Sequence, residues 1–110
     1  MNIAVRGAGA NLVASSRMDG AALAAIETSA AKAMTAVLFA QPTRELVAAV
    51  QPGGTPFMIE AGTREPPAFV PGGIPVTDEE GHVIGAVGAG GGRPGQDHDV
   101  AAAAVAAIAR

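Results

Sequence analysis

His82-Val83-Ile84-Gly85-Ala86-Val87-Gly88-Ala89-Gly90, continued by Gly91-Gly92-Arg93-Pro94-Gly95-Gln96, is the stretch on which the fold turns. Residues 82–89 read as a strand and residues 96–110 as an alanine-rich helix. Between them, Gly90, Gly92 and Gly95 match the spacing G-x-G-x-x-G, which in a doubly wound α/β domain cradles a dinucleotide pyrophosphate. Three features set that reading aside. The helix is the last element of the sequence, so no second parallel strand completes a βαβ unit. No acidic residue stands roughly 20 positions further on to hold a ribose. Asp97 and Asp99 place negative charge in the first helical turn, where a pyrophosphate would sit. The glycines are therefore expected to make a strand-to-helix turn that binds no NAD. A phosphate-binding G-x-x-x-x-G-K-[ST] loop is absent too, because the only lysine, Lys32, lies inside a helical pattern.

With the parallel option gone, the rest of the chain assembles around antiparallel pairs. Ile74 to Thr77 pairs with residues 82–89 across Asp78-Glu79-Glu80-Gly81, and Ile3 to Arg6 pairs with Asn11 to Ser16 across the glycine-rich turn that follows Arg6. Ala21 to Ala40 is the clearest helix: Leu23, Ile26, Ala30, Met34, Val37 and Leu38 recur three and four apart as one apolar stripe. Asp19 is placed to cap its start, Gln41-Pro42 ends it, and Thr43 is placed to cap a short helix from Arg44 to Val50. Pro52, Pro56, Pro66, Pro67 and Pro71 deny residues 51–71 a long regular element. Within them, Phe57-Met58-Ile59 reads as a short strand or an apolar flap, and a loop of this length is often a functional lid. The expected fold is α/β of the α+β kind, one domain over residues 1–110 with an antiparallel sheet flanked by helices.

Composition narrows the function classes. At 49% hydrophobic and 15% charged the chain is not disordered. Alanine is about a quarter of it, there are 15 glycines, and Phe39, Phe57 and Phe69 are the only aromatic residues, so the core is thin. A homo-oligomer is expected to supply the missing burial. The absence of cysteine excludes a disulfide, a thiolate metal site and a cysteine nucleophile. A net charge of −3 without any Lys/Arg cluster argues against nucleic acid. No apolar run is long enough to cross a bilayer, and Met1 to Arg6 has no leader pattern, so the expectation is a cytoplasmic protein with no membrane partner. His82 and His98 are both expected to be exposed. Asp97-His98-Asp99 diverges around a helix, so no structural metal is expected. Ser15 and Ser16 have no obvious histidine partner, which sets a Ser-His-Asp triad aside.

Four stretches in order carry a family resemblance. Asn11-Leu12-Val13-Ala14 with Arg17-Met18-Asp19-Gly20-Ala21 resembles the "G-N-L-V…R-M-D-G-A" hairpin and turn of the GlcG/HbpS-like family. Ala31-Lys32-Ala33-x-Thr35-Ala36, followed by Pro42-Thr43, is similar to its "K-A-x-T-A" helix. Pro71-Gly72-Gly73-Ile74-Pro75-Val76 resembles its "G-G-[IV]-P" approach to a strand, and Val83 to Gly88 with Gln96-Asp97 resembles its "V-I-G-A-I-G…Q-D" ending. Against that pattern, the helix that usually precedes the first strand is missing, Arg6-Gly7 stands where a "V-D" pair is common, and Gly90 stands where serine is frequent. The resemblance implies a profilin-like arrangement, oligomers and a small-molecule or cofactor site; some members bind haem, and others are C-terminal domains of PduO-type proteins.

Two functions follow as expectations. In the first, the domain binds haem or another planar ligand, with Met34, Phe57, Met58 and Phe69 as apolar contacts and Arg17 or Lys32 pairing with propionates. In the second, it is a small enzyme acting on a carboxylate or hydroxy acid, with Arg17 as clamp, Asp19 as general base and Lys32 as electrostatic stabiliser. Both place the ligand between Arg17, Asp19, Lys32, Gly72 and Gly73, where the glycines would let it approach the backbone.

Overall fold

The computed structural model describes residues 1–108. Four strands form one sheet: β1 (Asn2–Gly7), β2 (Leu12–Arg17), β3 (Gly73–Thr77) and β4 (Val83–Gly90). They lie in the order β2-β1-β4-β3, every neighbouring pair antiparallel. The three helices are α1 (Ala24–Phe39), the four-residue α2 (Leu46–Ala49), entered through a 3-10 turn at Thr43–Glu45, and α3 (Pro94–Ile108). Both expected hairpins are present, and Gly91-Gly92 is the turn into α3. Arg110, expected at the end of that helix, lies outside the described residues.

β4 is the axis of the domain, buried from residue 85 to residue 90. Its side chains alternate between the two faces. Val87 and Ala89 join Val76 and Ala101 of α3, with Ile3, Val5 and Ile74 packed around them. Ala86 meets Ala33 and Ala36 of α1 on the other face. Gly88 and Gly90 follow on that same face, and a methyl group on Gly88 would run into Ser29 O and the Ala33 backbone nitrogen. The helix therefore rests almost backbone to backbone on the strand, which only glycine and alanine allow.

That close approach decides which face of α1 turns inward, and the face differs from the sequence expectation. An apolar stripe ordinarily meets the core. Here Ala25, Ser29, Lys32, Ala33, Thr35 and Ala36 are buried, and of the expected stripe Met34 is buried with them, while Leu23 is 73% and Leu38 49% exposed. The larger side chains would hold the helix off the glycines; the small ones let it settle.

Local details differ as well. No side chain caps α1, so Asp19 does not serve there. Thr43 is buried and caps nothing: its hydroxyl donates to Val70 O and accepts the Gly73 N–H, pinning the chain ahead of β3. Phe57-Met58-Ile59 forms no strand; Met58 takes a left-handed φ of 67° and leads into a 3-10 turn at Ile59–Gly62. His82 is exposed as expected, but His98 is buried on α3, with its Nδ1 lacking a partner.

Candidate ligand-binding cleft

Lys32 sits in the middle of α1 with its side chain only 6% exposed. Its ammonium donates to Asp97 Oδ2 at 2.8 Å and to Ala89 O at 3.0 Å. The other carboxylate oxygen of Asp97 accepts the Gly92 N–H at 2.9 Å. One ion pair thus ties α1, the end of β4 and the start of α3 together. Gly72, with φ of 131°, and Gly73 pack directly on it: a methyl on Gly72 would strike Ala89 O, Lys32 Cδ and Asp97 Cβ, and one on Gly73 would strike the Lys32 carbonyl and Thr43. Lys32, Gly72 and Gly73 do come together, but protein atoms already fill the space beside them.

Arg17 and Asp19 are elsewhere. Arg17 ends β2 and Asp19 lies in the turn after it, both exposed. β2 and β3 are opposite edges of the sheet, with β1 and β4 between them. The five residues do not converge on one cavity. An enzyme built on Arg17, Asp19 and Lys32 would need that convergence.

A cavity of about 700 Å³ among the described residues is lined by none of the five. It is an open cleft between α1 and the β1–β2 hairpin, closed on a third side by the segment Glu65–Ala68. Ile26, Ala30, Ala31 and Met34 form the helix wall, Arg6, Leu12 and Ser15 the hairpin wall, and Pro66 and Pro67 the loop wall. α1 packs mainly on β4, β1 and β3 and only sparsely on β2, which leaves the cleft on that side. The Thr35 hydroxyl, which donates to Ala31 O, accepts the Ala68 N–H at 2.8 Å and so holds the loop wall against the helix. Phe69 packs edge-on to Phe39 nearby, with ring centroids 5.7 Å apart.

Of the residues singled out in the sequence, only Met34 among the apolar contacts reaches this cleft. Arg6, Ala31 and the buried Asn2 were not picked out as site residues. Their signal was weak: Asn2 and Arg6 alternate with the apolar Ile3 and Val5 of β1, so they share the face that Ala4 turns toward α1. The described residues hold no cluster of three or more metal-ligating side chains, and no helix among them is long and apolar enough to cross a membrane.

The chain matches the family described as haem degrading protein HbpS-like over residues 1–106. It is similar to an uncharacterized 15.0 kDa protein of the dhaT-dhaS intergenic region of Citrobacter freundii. The identity is 37% over 97 residues, which is 88% of this chain and 68% of that protein. It is also similar to the corrinoid adenosyltransferase PduO of Citrobacter freundii, 38% identical over 84% of this chain but spanning only 27% of that protein. Among solved structures, a PduOC:Heme complex shares the fold with a TM-score of 0.88 at 33% identity, covering 97% of this chain and 77% of that one.

Proposed function

The chain belongs to the HbpS-like family, and from that premise we propose that it binds haem, in the cleft between α1 and the β1–β2 hairpin. The observation that carries this reading is the cleft itself. At about 700 Å³ it falls within the range usual for small-molecule sites, and its walls are mainly apolar. The residues present fit such a ligand. Leu12, Ile26, Ala30, Ala31, Met34, Pro66 and Pro67 offer an apolar slot for a flat ring. Haem iron is held in proteins by His, Met, Cys or Tyr. The chain has no Cys or Tyr, and neither histidine lines the cleft, so Met34 is the one cleft side chain of a ligating type. When bound, haem would supply redox and oxygen chemistry; Met34 would hold it from the helix wall while the proline wall limits water.

A second location rests on a separate observation: Arg17 and Asp19 are exposed and make no side-chain hydrogen bond among the described residues, so the turn after β2 is free to meet a carboxylate. Haemin titration followed by absorbance separates the two. Wild type is expected to bind with a dissociation constant below about 10 μM. Met34→Leu should shift the absorbance maximum and Ala31→Trp should abolish binding. Loss of binding on Arg17→Ala, with Ala31→Trp inert, moves the site to the turn.

The domain also self-associates in this reading. Val13, Leu23, Leu38 and Ile84 are all about half exposed or more, apolar side chains that a second copy would cover. Light scattering at low micromolar concentration should give a multiple of 10.7 kDa; a clean monomer overturns this part.

A further inference from the structure

One end of the cleft is chemically unlike the rest. Arg6 reaches along the hairpin wall, its Nε–H donating to Ala30 O at 2.9 Å and one terminal nitrogen to Ala10 O at 2.8 Å. These two bonds fix the plane of the guanidinium and leave the second terminal nitrogen without a hydrogen-bond partner among the described residues. Among the described residues no carboxylate lies within ion-pair distance of it: the salt bridges there involve Lys32 and His82, not Arg6. A fixed, unpaired guanidinium on the wall of a cleft is suited to a carboxylate or phosphate.

The neighbouring strand adds a second donor. Asn2 is 1% exposed, and its Nδ2 donates to Ser29 Oγ at 2.7 Å and Ser15 Oγ at 3.1 Å. The Ser29 hydroxyl in turn donates to Ile26 O, so Asn2 is anchored from the helix side. Because Ser15 Oγ is the acceptor in its bond with Asn2, its own proton has no acceptor among the described residues and is free to point into the cleft it lines. Ser15 pairs with Ala4, two residues from Arg6 on the same sheet face, which places the two backbone positions roughly 7–8 Å apart. Glu27 and Glu65, on the helix and loop walls, repel an anion from those sides.

We propose that Arg6 and Ser15 form an anion end to the cleft, selecting a flat apolar molecule that carries a carboxylate and orienting that carboxylate toward the hairpin. Asn2 and Ser29 are positioning residues that act through Ser15. The proposal rests on the cleft being the ligand site, and it deepens that reading by naming the ligand class and its orientation.

The test compares acids with their methyl esters on the full chain: haemin with its dimethyl ester, and 1-naphthoate with methyl 1-naphthoate, by absorbance and by amide chemical shifts. Wild type should prefer each acid by about 10- to 100-fold, the usual worth of a charge-assisted hydrogen bond. Arg6→Gln should erase most of that preference, Ser15→Ala a smaller part, and Arg6→Lys should retain an intermediate share. The ester comparison on wild type needs no variant, so a poorly folding Arg6→Gln leaves the test intact. Equal binding of acid and ester by wild type overturns the proposal, as does a preference that survives both Arg6→Gln and Ser15→Ala, or the binding of neither pair. Arg6-dependent naphthoate binding without haemin binding upholds the anion end and removes haem as the ligand.

Discussion

The two flanks of α1 are built from opposite materials. On one flank, Ala33 and Ala36 meet Ala86 and the bare backbone of Gly88, and Lys32 is drawn down onto Asp97. On the other flank the helix faces Arg6, Leu12 and Ser15, it makes few contacts with β2, and about 700 Å³ stays open. The lesson is that residue size along one sheet face sets both where this domain is solid and where it is hollow. Glycine and alanine of β4 close the seam; arginine of β1, beside it, and leucine and serine of β2, beyond that, line the cleft.

Breaking the solid flank should have the largest effects. Gly88→Val drives a branched side chain into Ser29 and Ala33 and should cost at least about 3 kcal/mol, read as loss of the folded baseline in urea denaturation. Lys32→Met leaves the Asp97 carboxylate buried without its partner and should cost about 3–5 kcal/mol. The double variant Lys32→Met, Asp97→Leu should recover only part of that, because Asp97 also accepts the Gly92 N–H. A Lys32→Met variant as stable as wild type would mean the ion pair does not hold the seam. On the hollow flank, Ala31→Trp adds bulk to open space, so stability should stay within about 0.5 kcal/mol while haemin affinity is lost. Smallest of all, Arg17→Ala should leave both stability and haemin affinity within error; a clear loss of affinity there would shift the ligand to the turn after β2.

Much of the fold was legible because its signals are local. The tight turns between alternating segments marked both hairpins, and Gly91-Gly92 forms the strand-to-helix turn expected of it. The inward face of α1 was legible only in Met34. Leu23, Ile26 and Leu38 obey the helical period, and nothing within the helix says that its neighbour is a strand of glycines. That information sits some fifty residues away, in Gly88 and Gly90. Asp97 was read as a helix-start charge for the same reason: its partner Lys32 is 65 positions distant. Gly72 and Gly73 were read as room for a ligand, and they do provide room, but Lys32, Asp97 and Thr43 occupy it. Arg6 and Asn2 were not singled out as site residues. Their use depends on α1 passing over their face of β1, a tertiary fact with no trace in the spacing.

Where the ligand sits is the centre of the account, and paramagnetic haemin reports on it directly. In an amide-resolved spectrum of the isotope-labelled protein, bound ferric haemin broadens signals according to their distance from the iron. The account predicts that Leu12, Ala30, Ala31, Met34 and Ala68 disappear first, while residues 78–82 in the far hairpin turn and residues 101–105 of α3 keep their intensity. Broadening centred instead on Arg17 to Gly20, or on Gly72 and Gly73, would contradict it.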